Sequence, residues 1–179
     1  MPEPLKITLI VVGILAGLWL LLLIVDLIFV GSYLTIFRKH KKAMTVILYA
    51  KLENLKKLIS IMKQSGVDAD NRIVMLLNDI GDKDFAEPGS EIFEKSKNTL
   101  SYAKDELMFV INQNKDLLNN QELVQAKNNV VESDGIYRNN VTMYNADVLG
   151  YNYWIRFLPC RFVFLIFRVK KKQLIRELL

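Results

Sequence analysis

The sequence of 179 residues contains a single cysteine, Cys160, and a single histidine, His40. One cysteine excludes an intrachain disulfide and is typical of proteins in reducing compartments. With one residue of each kind, a Cys–His nucleophile would need these two to meet, and a metal site would depend on carboxylates alone. A glycine-rich phosphate loop is also missing. The composition therefore predicts no catalytic residue, no metal and no cofactor.

Charge is absent from Ile7–Val25, a run of nineteen residues that also lacks a strong helix breaker. As a helix it would be about 30 Å long, which matches the hydrocarbon core of a bilayer. A cleavable signal peptide is the alternative, but such peptides have a basic start and a shorter apolar run. Here only Lys6 precedes the run, and Leu27–Phe37 remains apolar where a cleavage site would lie. Residues 1–37 are therefore predicted to be an N-terminal segment with a retained transmembrane helix.

A basic membrane-proximal cluster at residues 38–42 follows this segment and contains Arg38, Lys39, Lys41 and Lys42. Basic residues next to a transmembrane helix favour the cytoplasmic side. The sequence thus predicts a single-pass protein of the cell membrane, with its N-terminus outside and its C-terminal domain in the cytoplasm.

The net charge of +5 is unevenly distributed along the chain. Residues 43–153 carry twelve basic and sixteen acidic residues, whereas residues 154–179 carry seven basic residues and one acid. A nucleic-acid binder would line one face of its fold with basic side chains. An acidic body between two basic ends is better suited to a bilayer with anionic headgroups, so we expect a membrane partner and no nucleic acid.

Asp26 directly follows the apolar run. If Ile7–Val25 spans the membrane, Asp26 lies at the edge and meets water, which is the preferred interpretation. If Ile14–Leu34 spans instead, Asp26 lies near the middle of the bilayer and needs a partner helix. Gly13 and Gly17 have the spacing that lets two such helices approach closely, which allows a homo-oligomer.

Beyond residue 42 the apolar residues recur at helical intervals, which predicts three long amphipathic helices. The first ends near Gly66. A short apolar piece, Ile73–Leu77, and a loop, Asp82–Gly89, separate it from the second, and a turn near Asn119–Gln121 precedes the third. The positions expected to face the core are Leu48, Leu52, Leu55, Ile59 and Met62, then Phe93, Leu100, Ala103, Leu107, Val110 and Leu117, then Leu123, Val130, Tyr137, Val141, Tyr144, Val148, Tyr151 and Ile155.

Short connections join antiparallel neighbours. The predicted fold is all-α: the N-terminal transmembrane helix is followed by a long antiparallel three- to four-helix bundle over residues 43–157. Gly135, inside the third helix, could mark a kink or a close approach of another element.

The end of this helix resembles the bacterial LemA family. The shared residues are Tyr144-Asn145, Val148, Tyr151-Asn152, Ile155 and Leu158-Pro159, with fainter similarity at Leu52-Glu53-Asn54-Leu55, Asp116-Leu117, Asn120, Leu123 and Asp134. The resemblance implies a membrane-anchored helical bundle. The family has no agreed biochemical function and supplies no catalytic residues.

The two Tyr-Asn pairs allow two interpretations. In the preferred one, Tyr144 and Tyr151 are core residues and the asparagines hydrogen-bond across helices. In the other, Asn145 and Asn152, seven residues apart on one helix face, form a contact strip for a partner protein together with these tyrosines.

Residues 158–179 form an apolar and basic C-terminal cap or tail. The run Phe162–Phe167 is too short to span a bilayer and has to be covered. Counting helices up, down and up again places Pro159 at the end of the bundle farthest from the membrane, which predicts that Phe162–Phe167 packs on Ile73–Leu77. Insertion of the tail at the membrane surface is the competing hypothesis.

These features together predict a non-enzymatic, membrane-anchored scaffold or tether for a protein whose identity the sequence does not reveal. The main alternative is a lipid-surface module that senses or shapes anionic membrane through its basic ends. An enzyme with an unrecognised site is the third and weakest hypothesis.

Overall fold

The computed structural model describes residues 2–81, 83–156 and 170–175, and within these ranges the protein is all-helical, without a strand. The described helices are α1 (Glu3–Gln64), α2 (Asn71–Asn78), α3 (Glu91–Gln113) and α4 (Gln121–Trp154), with a 3-10 turn at Lys115–Asn119 between α3 and α4. The predicted helical class is confirmed.

The first helix continues without a break from the apolar run into the amphipathic part of the chain. Its apolar side chains from Leu5 to Phe29 are largely exposed, because the described parts of the chain leave most of that surface uncovered. Among the described residues, α1 is the one helix long and apolar enough to cross a membrane.

The chain folds into two compact units. Unit 1 comprises residues 1–38 and 144–174, and unit 2 comprises residues 39–143 and 175–179. Both α1 and α4 contribute residues to each unit, because their residue ranges cross the unit boundaries.

Unit 1 is held together by stacked and edge-to-face aromatic rings from α1 and α4. The ring centroids of Phe29 and Trp154 lie 4.5 Å apart, and those of Tyr33 and Tyr151 lie 5.7 Å apart. Phe37 contacts both tyrosines of the Tyr-Asn pairs, at 5.5 Å and 5.4 Å. Aromatic pairs in this distance range stabilise beyond the area that they bury. We call the six rings the aromatic ladder: Phe29, Tyr33 and Phe37 on α1, with Tyr144, Tyr151 and Trp154 on α4.

The aromatic ladder shows that the C-terminal end of α4 does not lie where the sequence predicted. Counting helices placed that end at the far side of the bundle from the apolar run. In unit 1, however, Trp154 stacks on Phe29, which lies within the apolar part of α1. The count is wrong because α2 and the loop after it return the chain before α3 begins. Phe162–Phe167, for which packing on Ile73–Leu77 was predicted, lies outside the described residues.

The burial of Asp26 also differs from the prediction that its side chain meets water. The residue is only 3% exposed, so its side chain is covered by the chain itself and does not meet water. It lies at helical spacing from Tyr33 and Phe37, on the α1 face that packs in unit 1. The packed seam therefore extends slightly less than one helical turn farther toward the N-terminus than Phe29, the first ring of the aromatic ladder.

Unit 2 has a core formed by the helix faces that the sequence predicts. The heptad positions of α3 and α4 are buried, including Leu100, Leu107 and Val130. Two positions differ, because Ile59 and Val110 are partly exposed while Leu58 and Ile111 are buried. A straight helix of 3.6 residues per turn drifts toward higher residue numbers against a seven-residue repeat, which accounts for the shift from Val110 to Ile111.

The segment between α1 and α3 begins at the predicted helix end near Gly66 and contains two helix caps. Gly66 has a φ of 78° just after α1 ends, a conformation that favours glycine at the end of a helix. The Asp70 side chain caps α2 by accepting from the Arg72 N–H at 2.8 Å. The Ser90 hydroxyl caps α3 by accepting from the Phe93 N–H at 3.2 Å.

The predicted loop contains a core residue. Phe85 is fully buried, and its ring meets those of Tyr49 and Phe93 edge-on at 5.1 Å and 6.2 Å. Its backbone oxygen accepts a hydrogen bond from the Thr45 hydroxyl at 2.6 Å. The loop thus returns the chain to α1 near Thr45, which places the start of α3 there.

A side chain of another helix comes close to α4 at Gly150 and not at Gly135. No described residue lies within 4 Å of the place where a Cβ of residue 135 would stand, so of the two alternatives for Gly135 the close approach is wrong. At residue 150 a Cβ would lie 3.0 Å from the Tyr33 hydroxyl oxygen. A side chain at residue 150 would therefore require the Tyr33 hydroxyl to shift by a few tenths of an ångström.

Candidate functional site

The two tyrosines of the predicted contact strip are core residues of unit 1. Tyr144 and Tyr151 are 4% and 2% exposed, and both rings pack against Phe37. Burial raises the pKa of both phenols, because the phenolate would lose its hydration. Both hydroxyls therefore remain protonated at neutral pH.

Asn152 holds the C-terminal segment of the chain. Its amide nitrogen donates to the backbone oxygen of Lys172 at 2.9 Å, and its amide oxygen accepts from the backbone N–H of Lys172 at 3.0 Å. The Tyr151 hydroxyl donates to the backbone oxygen of Lys170 at 3.4 Å. We call Tyr151 and Asn152 together the clasp. Asn145, the asparagine of the other pair, is half-buried on α4.

The basic membrane-proximal cluster lies on α1. Arg38, Lys39 and Lys42 are exposed, and Lys41 is half-buried. Within this cluster His40 lies in unit 2, where its Nδ1 is 2.7 Å from Oδ1 of Asn140. The N–H of the imidazole donates in this pair, since the amide oxygen can only accept.

Unit 2 contains an ionic cluster that the sequence did not predict. The Asp134 carboxylate of α4 accepts from Lys51 of α1 at 2.5 Å and from Lys104 of α3 at 3.0 Å, so that one carboxylate joins three helices. Lys104 also lies 3.3 Å from Asp105. The Lys51 side chain is 5% exposed, whereas Asp134 and Lys104 are 25% and 22% exposed.

The protonation of this cluster follows from burial and pairing. Burial lowers the pKa of Lys51, and this effect exceeds the opposing hydrogen bond and charge of Asp134. At Asp134 burial works to raise the pKa, but hydrogen bonds from the two lysines and their charges hold it below the ordinary value. Burial works to lower the pKa of Lys104, but pairing with Asp134 and Asp105 raises it. Pairing wins at Lys104 because its side chain is more open to water.

The positions of Lys51 and Asp134 in the sequence indicate this ionic cluster, because both fall within apolar faces of their helices. Lys51 stands three residues after Leu48 and four before Leu55, so it falls inside the apolar face of its helix. Asp134 stands four residues after Val130 and three before Tyr137, inside the seam of α4. Opposite charges that interrupt two apolar seams are expected to pair, because a buried charge needs a partner.

The described residues contain no group of three His, Cys, Asp or Glu side chains that could hold a metal ion. A shallow surface depression lies between α2 and α3, lined by Leu76, Glu91, Lys95 and Tyr102 among others. Its charged residues are of both signs, so it favours no particular ligand.

Comparison of the chain with protein-family models gives no match, and comparisons with curated proteins and with solved structures give none either.

Proposed function

We propose that this chain is a single-pass membrane protein of the LemA type, in which a cytoplasmic helical bundle tethers or scaffolds a partner protein without catalysis. The observation that carries the proposal is the uncovered surface of α1. Apolar side chains from Leu5 to Phe29 are exposed around most of the helix, over a length that matches a bilayer. A soluble protein would be expected to cover a patch of this size.

The aromatic ladder supports Ile7–Val25 as the membrane-spanning segment. Phe29 stacks on Trp154, and the exposed Arg156 lies two residues beyond Trp154. Placing that arginine and the hydrogen-bonded C-terminal backbone in hydrocarbon would be costly. A span of Ile14–Leu34 would bury this level of unit 1 in the membrane, so the earlier span is favoured.

Arg38, Lys39, Lys41 and Lys42 support the orientation with the N-terminus outside and the C-terminal domain in the cytoplasm of the cell. Three of them are exposed at the surface of α1, where anionic headgroups could attract them.

The order of contacts supports an antiparallel arrangement of α1 and α4. In unit 1, Phe29 meets Trp154 and Phe37 meets Tyr144, so increasing numbers on α1 pair with decreasing numbers on α4. Unit 2 shows the same reversal, because His40 meets Asn140 while Lys51 meets Asp134. Since α3 starts near Thr45 and joins α4 through a short 3-10 turn, it runs parallel to α1 in the proposed bundle.

A tethering role is supported by the polar side chains of Asp134 and Asn152, because both bind other parts of the same chain. Asp134 binds two lysines, and Asn152 binds the backbone of Lys172, so these groups serve cohesion of the fold. The contact strip at Asn145 and Asn152 remains a proposal, and on this geometry Asn152 would have to release Lys172 before it could bind a partner.

Photo-crosslinking in native membranes tests the proposal. A photoreactive residue is placed at Met143, which is exposed on α4, and at Asn145 within the strip. A reproducible protein adduct from either position, absent when the reporter stands at the exposed Lys63, is the expected result. Adducts with lipid alone would favour the lipid-surface module instead. Release of the protein by alkaline carbonate would contradict the anchor itself.

A further inference from the structure

The C-terminal segment Lys170–Lys172, which we call the lysine segment, is held through its backbone. One amide side chain, that of Asn152, satisfies both the N–H and the C=O of Lys172, and the Tyr151 hydroxyl reaches the oxygen of Lys170. A bond pattern of this kind fixes an extended chain in the way that a neighbouring strand would. It leaves the side chains out of the binding, and all three lysines are exposed.

The clasp lies close to the end of the apolar run within the same unit. Trp154, two residues after Asn152, stacks on Phe29, which is four residues after Val25. Four residues of helix correspond to about 6 Å along the axis of α1. The headgroup layer on one side of a bilayer is also roughly 5 to 7 Å thick. If hydrocarbon ends at Val25, the level of the Trp154–Phe29 stack is the level of the headgroups.

Unit 1 also has the charge that suits this layer. Arg38 and Arg156 are exposed in it together with the lysine segment. Its described acids are Glu3 at the other end of the apolar run, Asp26, which is buried, and Asp147, which is half-buried. The exposed charge of unit 1 beyond the apolar run is therefore predominantly positive.

We propose that the lysine segment is a binding surface for the anionic phospholipid headgroups of the membrane in which α1 is anchored, and that the clasp holds it at headgroup depth. The inference rests on the proposed function, because it needs α1 to span the bilayer. Polybasic segments next to a transmembrane helix bind anionic lipid, and a segment that is already ordered loses less entropy on binding.

Lysine acylation in lipid nanodiscs tests this inference on the full chain. The protein is inserted into discs of phosphatidylcholine alone or with phosphatidylglycerol, and acylation by a water-soluble succinimidyl ester is followed by peptide mass spectrometry. We expect Lys170–Lys172 to react about fivefold more slowly in the anionic discs. The exposed Lys57 and Lys63 of unit 2 should react equally in both, and high salt should abolish the difference.

Two variants and one added anion make the result specific. Asn152→Ala, which removes two hydrogen bonds to Lys172, should lose most of the protection, whereas Asn145→Ala should keep it. Equal reactivity of the lysine segment in both kinds of disc, or full protection in Asn152→Ala, would overturn the proposal. Protection by inorganic phosphate in phosphatidylcholine discs would also overturn it, because the ligand would then be a free anion.

Different experimental results would contradict this inference and the proposed function. A chain that alkaline carbonate removes from both kinds of disc lacks the anchor, which defeats the proposed function. A chain that remains inserted but shows no protection defeats the inference alone.

Discussion

Asp134 is the residue on which the ionic cluster of unit 2 depends, because it is the acid that both lysines share. Removing the charge of one partner in a buried pair costs more than the pair contributes, since the other charge remains buried without compensation. Lys51, 5% exposed, is the charge that would be left in that position.

We therefore expect Asp134→Asn to lower the free energy of unfolding by about 3 kcal/mol. The matched control is Asp105→Asn, since Asp105 is 69% exposed and should matter by less than about 0.5 kcal/mol. Chemical denaturation of the protein in detergent, followed by circular dichroism, measures both. Equal costs for the two variants would show that burial of the cluster does not determine its energy.

The same comparison depends on pH in a defined direction. Because the pKa of Asp134 is lowered below 3.8 in the folded chain, its contribution is complete above that value and is lost as the pH falls through the lowered pKa. The difference in stability between the protein and Asp134→Asn should stay constant from pH 7 to about pH 4 and shrink in stronger acid. A difference that grows below pH 4 would contradict the assigned direction.

Gly135 and Gly150 offer a second test at the scale of single residues. Both lie in α4, but a Cβ at residue 135 would meet none of the residues that the structure describes, whereas a Cβ at residue 150 would lie 3.0 Å from the Tyr33 hydroxyl oxygen. Gly135→Ala should stabilise the protein by about 1 kcal/mol, the usual gain in a helix interior. Gly150→Ala should stabilise the protein by less than this or destabilise it, because the new Cβ meets the Tyr33 hydroxyl. In a Tyr33→Phe background, which lacks that hydroxyl, Gly150→Ala should stabilise the protein as Gly135→Ala does. Thermal unfolding decides, and equal gains from both alanines would contradict the close approach.

At the scale of elements, the ends of the helices were readable from the sequence because they depend on neighbouring residues. Gly66 follows the end of α1 as predicted, and Asp70 and Ser90, which are residue types that favour helix N-caps, cap α2 and α3. The structure of the loop after α2 was harder to predict. Its sequence is mostly polar and gives no sign that Phe85 is buried, and Phe85 packs on Tyr49, which is distant in the sequence, and on Phe93. Local patterns do not specify such a contact.

The cap of α3 provides the prediction at this scale. Ser90→Ala removes the hydroxyl that accepts from the Phe93 N–H, and we expect a loss of about 1 kcal/mol. Ser90→Asp should retain the stability, because a carboxylate can accept the same hydrogen bond and favours a helix N-terminus. The midpoint of urea denaturation gives both values. A loss of equal size in Ser90→Asp would mean that the hydroxyl acts in some other way.

At the scale of the whole molecule, the sequence predicted the helical class and most of the core positions of the helices. These follow from periodicity, which each segment contains by itself. The course of the chain did not follow in the same way, because the direction of α4 depends on how α2 and the loop after it return the chain. The contact of Asn152 with Lys172 was likewise not predictable, since the two residues are separated by a segment without helical periodicity.

Membrane orientation is the prediction at this scale. Replacing Arg38, Lys39, Lys41 and Lys42 by Gln, together with Glu3→Lys, moves the excess of basic charge to the other side of the apolar run. We expect a substantial fraction of the protein to insert with inverted orientation. A cysteine introduced at the exposed Lys63 in a Cys160→Ser background reports the side through labelling by a membrane-impermeant maleimide. Unchanged labelling would show that other features set the orientation.

The stacking of Trp154 on Phe29 gives the protein a native optical probe. The chain has two tryptophans, and the other, Trp19, lies on the uncovered part of α1. A Trp19→Phe variant would leave a single emitter whose spectrum depends on the interior of unit 1. Its fluorescence would shift when α1 and α4 separate, so loosening of unit 1 could be followed in real time, without a label and before the helices themselves melt.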